Sequence, residues 1–120
     1  MSNNVNKQKS DLSQTNVVYK FSCPKEDCRL LNNVHYVGMT STTLSRRLTM
    51  HLNNGAPFQH YFKKHKEKIN REVLVNNTKI IYKSSDINRL SIAEALLIKE
   101  TAPLINVQFK SFDRTLKLFS

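Results

Sequence analysis

Two short segments rich in β-branched and aromatic side chains constrain the fold of this chain more than any other feature. Asn16–Cys23 carries Val17, Tyr19 and Phe21 at alternating positions, and Val34–Met39 is a second run of the same kind. Such runs favour β-strands. The polar connection between them holds a proline and two adjacent asparagines, which is typical of a turn or loop. The two segments therefore predict a hairpin with a long loop.

Helical spacing begins directly after the second strand. Leu44, Leu48 and Leu52 recur every four residues, which predicts a helix with one buried stripe. Thr42 or Thr43 can cap the start of this helix. The next helix is predicted to run to about Lys66, with Pro57 in its first turn, where the missing N–H costs nothing.

The last helix is predicted from Ser85 or Asp86 to about Glu100, because an acceptor side chain can cap its start and Pro103 ends it. A third strand is predicted at Lys79–Lys83. Residues 73–77 suit a short helix and a strand equally well.

The order strand, strand, helix, helix, strand, helix predicts an α/β (α+β) fold, with a small three-stranded antiparallel sheet flanked by helices. A glycine-rich phosphate loop and a regular strand–helix alternation are both missing, which argues against a parallel nucleotide-binding fold. We predict one domain at residues 15–108. Residues 1–14 are expected to form a disordered polar tail, and residues 109–120 a basic extension.

Charge points to a polyanionic partner. Nineteen Lys and Arg residues against nine Asp and Glu residues give a net charge of +10, and each neutralised phosphate releases a counterion. An anionic membrane surface and a merely basic soluble protein are the alternatives. No segment reaches the ~18 apolar residues that span a bilayer, and the polar opening lacks a secretory signal. We therefore expect an intracellular protein of the cytoplasm or nucleus that is neither secreted nor bound to membranes.

The two cysteines, Cys23 and Cys28, are expected to be free in a reducing compartment. A full zinc site needs about four ligands, and among the histidines only His35 lies near them in sequence. We therefore predict two buried or inert thiols rather than bound zinc. A zinc-stabilised interaction domain built from these cysteines and histidines is the competing hypothesis.

A candidate anion-binding pair lies on the first helix. Arg47 and His51 are four residues apart, so they share one helix face beside the leucine stripe. An arginine there can hold a phosphate with two parallel hydrogen bonds, and a histidine can position or deprotonate water. Taken alone, the pair is also typical of two solvated side chains on a basic helix.

A candidate metal ligand lies on the last helix. Glu94 falls in the apolar arc of that helix, where a carboxylate needs a partner or a metal. An oxygen ligand suits Mg²⁺, which keeps several waters and few protein carboxylates. A surface glutamate is the simpler interpretation, and periodicity does not choose between Glu94 and Glu100. By pattern alone, Tyr19 and Tyr36 are packing residues of neighbouring strands.

Together these pieces resemble the GIY-YIG nuclease superfamily. Val17-Val18-Tyr19 followed by Tyr36-Val37-Gly38 is similar to its paired strand motifs, and Arg47 and His51 follow at the family's spacing. Glu94 with Asn106 twelve residues later matches its metal-binding helix, which selects Glu94 over Glu100. In the first of these motifs, Val17 stands where the family has glycine. The long cysteine-bearing insertion resembles the endonuclease domains of Penelope-like retroelements, and Arg46 stays a second candidate for the arginine position.

The resemblance implies a one-metal, in-line hydrolysis of DNA phosphodiesters. Its catalytic residues would be Tyr19, Tyr36, Arg47, His51, Glu94 and Asn106, with Glu94 binding Mg²⁺ or Mn²⁺. Tyr36 would accept the proton from water, with His51 as its rival or helper. Candidate phosphate contacts are Lys63, Lys64, Lys66, Lys68 and Arg71. The alternative is a basic nucleic-acid-binding module without catalysis. The oligomeric state stays open, and a dimer is one option.

Overall fold

The computed structural model describes residues 11–31 and 34–106. Its strands are β1 (Val17–Ser22), β2 (His35–Thr40) and β3 (Thr78–Lys83). Its helices are α1 (Glu26–Arg29), α2 (Leu44–His51), α3 (Ala56–His65), α4 (Arg71–Asn76) and α5 (Ile87–Thr101). Their order along the chain is β1, α1, β2, α2, α3, α4, β3, α5. Among the described helices, none is both long and apolar enough to cross a bilayer.

The three strands form one antiparallel sheet in the order β2-β1-β3, so the first strand is central. Tyr19 lies opposite Gly38, and Phe21 lies opposite Tyr36. An irregularity at Val18/Tyr19 shifts the register on the β3 side. The predicted α+β fold, with its antiparallel sheet and flanking helices, is confirmed.

The central strand feeds two cores because successive side chains point to opposite faces of a sheet. Val17, Tyr19 and Phe21 belong to the larger core, which also contains the buried leucines of α2. Val18 lies in the smaller core with Leu90 of α5. The sheet therefore has α5 on one face and α2 to α4 on the other. This arrangement also explains Val18, whose apolar side chain interrupts the predicted alternation.

The predicted helix starts agree with the structure. Thr43 caps α2 by accepting a hydrogen bond from the Arg46 amide. Pro57 lies in the first turn of α3, after Gly55 at φ 92°. Asp86, rather than Ser85, caps α5 by accepting from two amides of its first turn. Local side-chain chemistry thus decides where these helices begin.

Two segments acquire helices that the sequence pattern did not resolve. The connection between the first two strands contains the four-residue α1, although we predicted only a turn or loop there. The ambiguous residues 73–77 are mostly helical, because Asn70 caps α4 and Leu74 is fully buried beneath it.

Residues 1–10 of the predicted tail, the whole of the predicted extension at 109–120 and the last two residues of the predicted domain lie outside the described residues. Within the described part of the tail, Leu12 packs against the larger core. The Gln14 carbonyl also accepts a hydrogen bond from the Leu44 amide at 2.9 Å.

Candidate active site and metal centre

The two tyrosines lie on neighbouring strands and come together over one face of the sheet. Their ring centroids are 6.2 Å apart. Gly38, directly opposite Tyr19, makes room for them: a Cβ there would lie 2.7 Å from the Tyr19 hydroxyl and 2.7 Å from Tyr36 Cε2. Ordinary contacts are longer than 3.4 Å, so this position requires glycine for packing. Its φ is not positive, which excludes backbone strain as the reason.

Helix α2 brings two further side chains to the Tyr19 hydroxyl. Arg47 donates a hydrogen bond from Nε to that oxygen at 3.3 Å. The Nε2 atom of His51 lies 2.8 Å from the same oxygen. Arg46 is exposed. The four-residue spacing of Arg47 and His51 therefore brings both side chains to the Tyr19 hydroxyl. Of the adjacent arginines Arg46 and Arg47, it is Arg47 that contacts the tyrosine.

The protons of this cluster can be assigned from its chemistry. Burial, reinforced by the Arg47 charge, lowers the pKa of His51 to about 4, so its ring is neutral at pH 7. Burial raises the pKa of Tyr19, which keeps its proton. Since Arg47 can only donate, the Tyr19 oxygen accepts from it. The Tyr19 hydroxyl can then donate to His51 when His51 carries its own proton on Nδ1.

Tyr36 faces the same histidine and has a carboxylate nearby. Its ring meets His51 edge-on at 5.6 Å between centroids. Burial raises the pKa of Tyr36, Arg47 opposes this rise, and the negative charge of Glu94 adds to it. Glu94 is half-buried on α5, whereas Glu100 is exposed. Of the two glutamates, Glu94 is therefore the one whose charge acts on Tyr36.

Asn106 occupies a different position from the other predicted residues. Its Oδ1 accepts from the Val37 amide at 2.8 Å, and its Nδ2 donates to the Val37 carbonyl at 2.9 Å. The side chain is buried and acts like one residue of a neighbouring strand along the edge of β2. Asn106 therefore holds the strand that carries Tyr36.

The predicted phosphate contacts fall into two groups. Lys63, Lys64, Lys66 and Lys68 are exposed on α3 and just after it, and Lys64 lies 3.9 Å from Asp27. Arg71 instead donates to α2: its guanidinium bonds Ser45 Oγ at 2.6 Å and Thr49 Oγ1 at 2.9 Å. Arg71 thus braces the outer side of the helix that carries Arg47 and His51.

A second cluster lies in the same domain, at the far end of α3. It consists of Cys23, Cys28, His60 and His65, whose potential ligand atoms all lie within 4.8 Å of one another. Cys23 follows β1, Cys28 lies on α1, and both histidines lie on α3. Such a Cys2His2 set could hold a metal ion such as zinc.

The distances inside this cluster suit tetrahedral coordination. Cys23 Sγ and Cys28 Sγ lie 3.4 and 3.5 Å from His65 Nε2, and Cys28 Sγ lies 3.6 Å from His60 Nε2. Ligand bonds of about 2.3 Å to sulfur and 2.0–2.1 Å to nitrogen give a tetrahedron edge of about 3.6 Å. The side chains could therefore receive a zinc ion with little rearrangement.

The surroundings of the cluster also suit a metal. Burial raises the pKa of Cys23 to about 12 and raises that of Cys28, so both are protonated thiols in the metal-free protein. Metal coordination would remove those protons. Asp27 Oδ1 lies 4.0 Å from Nδ1 of His65, on the side of the ring away from the cysteines. A carboxylate on the far nitrogen is a frequent partner of a metal-bound histidine.

Both thiols are free and buried, as expected, but the Cys2His2 cluster disfavours the expectation that zinc is absent. That expectation considered only ligands near in sequence, and His35 lies on β2 outside this cluster. The missing ligands, His60 and His65, come from a helix more than thirty residues away. Four residues lie between the two cysteines, and four lie between the two histidines, a spacing typical of zinc ligands. This shared spacing was the signal that the sequence contained.

No protein-family model, curated protein or solved structure matches this chain. The features that bear on its function are therefore the tyrosine cluster, the Cys2His2 cluster and the net positive charge.

Proposed function

We propose that this protein is a divalent-metal-dependent endonuclease that hydrolyses phosphodiester bonds in DNA. The observation that carries the proposal is the meeting of Tyr19, Tyr36, Arg47 and His51 over one face of the sheet, with the charge of Glu94 acting on Tyr36. These residues combine an anion-binding cation, proton-accepting groups and a metal-ligating carboxylate. The net charge of +10 supports a polyanionic substrate.

Arg47 would stabilise the negative charge that grows on the scissile phosphate. One of its five N–H groups is bonded to Tyr19, and further donors are left for phosphate oxygens. The bond to Tyr19 also fixes the direction of the guanidinium before substrate arrives, as electrostatic catalysis requires.

Tyr36 is our first choice for the group that accepts the proton of the attacking water, and His51 is its rival or helper. Because the pKa of Tyr36 is raised by burial, Tyr36 could accept that proton only once a bound cation lowers its pKa. Tyr36 is half-buried, whereas Tyr19 is fully buried, so Tyr36 can reach water at the surface. His51 is neutral at pH 7, which suits a proton acceptor next to Tyr19. Tyr19 would orient Arg47 and His51, and Asn106 would hold the strand of Tyr36.

Glu94 would hold one Mg²⁺ or Mn²⁺ ion. Among the described residues, the only group of three or more Cys, His, Asp or Glu side chains with metal-binding spacing is the Cys2His2 cluster. A lone carboxylate still suits Mg²⁺, which retains most of its waters. When bound, the ion would supply positive charge to the scissile phosphate and the leaving oxygen.

The experiment is cleavage of supercoiled plasmid and of a single-stranded oligonucleotide, with Mg²⁺, with Mn²⁺ and without added metal. Glu94→Gln is compared with Glu100→Gln, which removes an exposed carboxylate from the same helix. We expect metal-dependent cleavage that is lost in Glu94→Gln and kept in Glu100→Gln. Equal activity of the two variants would refute the role of Glu94.

The second candidate function is a basic nucleic-acid-binding module without catalysis. The exposed lysines on and after α3 favour it, since they would give salt-dependent affinity without sequence choice. Retained binding without cleavage of either substrate by the wild type would select this module.

Because one active site makes one cut per encounter, a double-strand break by the nuclease would require a dimer or a second binding event.

We also propose that the Cys2His2 cluster is a structural zinc site. Four protein ligands leave no open position for a substrate, and three of the four residues are buried. Zinc would join the end of β1 and α1 to α3, which also meet through the Cys–His contacts and the Lys64–Asp27 ion pair at 3.9 Å.

Elemental analysis of the reduced, purified protein should find one zinc per chain. Cys28→Ser should lose it, and His35→Asn, which changes a buried histidine outside the cluster, should retain it. Zinc at about a thousand times its Kd would raise the free energy of unfolding by about 4 kcal/mol. Protein without zinc, and without a rise in Tm when zinc is added, would rule out the site.

A further inference from the structure

An aromatic pair lies on the surface of α3. The rings of Phe58 and Phe62 are stacked, with centroids 6.0 Å apart and planes inclined by 14°. Phe58 is half-buried against the larger core, whereas Phe62 is 57% exposed. Phe58 supports one side of Phe62, so the exposed area of Phe62 is a flat apolar surface held in a defined direction.

Exposed lysines lie close to Phe62 in the sequence. Lys63 and Lys66 are exposed on the same helix or at its end, and Lys68 follows shortly after. An isolated exposed phenylalanine needs no explanation, but a supported aromatic ring among lysines has the chemistry of a base-stacking platform. In such platforms the cations contact the backbone phosphates while the ring stacks on a base.

The platform lies on the helix that starts next to the candidate active site. Gly55 precedes α3, and a Cβ at that position would lie 2.8 Å from His51 Nδ1. Phe62 is seven residues further on, about 10 Å along the helix axis. This equals about three nucleotides of a stacked strand at about 3.4 Å each. One strand could therefore reach both places.

We propose that Phe62, supported by Phe58, stacks on an unpaired base of single-stranded nucleic acid close to the cleavage site. The inference deepens the proposed function and rests on it only for the nature of the partner, since the stacking itself needs no catalysis. Single strands are favoured over duplex DNA because bases inside a duplex do not expose their faces.

The experiment measures binding by fluorescence anisotropy in the Glu94→Gln background without Mg²⁺, so that no substrate is cut. Three labelled probes are compared: oligothymidylate, an abasic oligomer of the same length and a blunt duplex. Phe62→Ala is tested against Ile92→Ala, which removes an apolar side chain of similar exposure, 59%, from α5. Thermal unfolding of each variant checks that the fold is retained.

We expect Phe62→Ala to weaken binding of oligothymidylate by about 5-fold to 100-fold, as for loss of one stacked base. Binding of the abasic oligomer should stay within about twofold, and Ile92→Ala should change neither. Phe62→Tyr should retain the affinity. Lys66→Ala, in contrast, should weaken both single-stranded probes, because it removes a phosphate contact.

Equal loss on the abasic oligomer would refute stacking, and so would equal loss on the duplex or no loss at all. Absence of binding to oligothymidylate by the Glu94→Gln parent would also refute it, and would leave an apolar protein partner as the occupant of this surface. A chain that stacks on bases but cuts no substrate would fail the nuclease proposal alone, so the two failures are distinguishable.

Discussion

Replacing Gly38 by alanine tests the architecture of the candidate active site. The new Cβ would lie 2.7 Å from the Tyr19 hydroxyl and 2.7 Å from Tyr36 Cε2, against an ordinary contact of at least 3.4 Å. Each ring would have to move by more than half an ångström. Tyr19 cannot retreat easily, because its hydroxyl is bonded to Arg47 and His51.

The expected cost follows from two opposing effects. Overpacking a well-filled site costs about 1–3 kcal/mol, and loss of glycine flexibility in the unfolded chain offsets about 0.4–1 kcal/mol of this. We therefore expect Gly38→Ala to lower the free energy of unfolding by about 1–2 kcal/mol, a Tm lower by roughly 4–16 °C in a domain of this size. If the nuclease proposal is right, displacement of Tyr19 and Tyr36 should also reduce cleavage by on the order of a hundredfold.

A double-mutant cycle provides the control. Tyr19→Phe removes the hydroxyl that the new methyl group would meet, so Gly38→Ala should cost less in that background than in the wild type. Stability is measured by urea unfolding followed by circular dichroism, with zinc added to every sample. If Gly38→Ala had the same Tm as the wild type, position 38 would not lie so close to the two tyrosine rings. The same cost in both backgrounds would show that Tyr19 does not cause it.

Three further perturbations test separate contacts. Folding lowers the pKa of His51 from 6.5 to about 4, so the stability that depends on its neutral ring is complete above pH 6.5 and is lost as the pH falls. Between pH 7 and pH 5, urea unfolding of the wild type should therefore show a loss of free energy of unfolding about 2 kcal/mol larger than that of His51→Gln. An equal loss in both proteins would contradict this. Arg71→Ala should destabilise the domain by about 1–2 kcal/mol without changing the salt dependence of DNA binding. Lys68→Ala should instead reduce the slope of log binding constant against log salt concentration by about one. The reverse pattern would identify Arg71 as a phosphate contact. Asn106→Ala should cost about 2–4 kcal/mol, since it leaves two buried main-chain groups of Val37 unpaired, and unchanged hydrogen exchange at the Val37 amide would refute this.

The chemistry of neighbouring residues was enough to predict most of the fold. Thr43, Asp86 and Pro57 define helix starts through groups only a few residues away. The alternation of Val17, Tyr19 and Phe21 predicted the face of the central strand. These features depend on side-chain direction and capping, which neighbouring residues decide.

The tyrosine cluster was predictable only in part. The spacing of Arg47 and His51 placed both on one helix face, and the resemblance suggested that Glu94 would join them. Which atoms meet was decided by packing: Arg47 and His51 converge on one Tyr19 hydroxyl, and Asn106 bonds the Val37 main chain. Such contacts join residues 28 to 69 positions apart, so no local pattern contains them.

By itself, then, the sequence determined most of the element types, the starts of three helices and the excess of positive charge. The tertiary structure alone decided that Arg71 braces α2 and that His60 and His65 meet Cys23 and Cys28. The physical reason is that ligand sets and braces depend on distances between elements far apart in the chain. Those distances exist only after the helices have packed on the sheet.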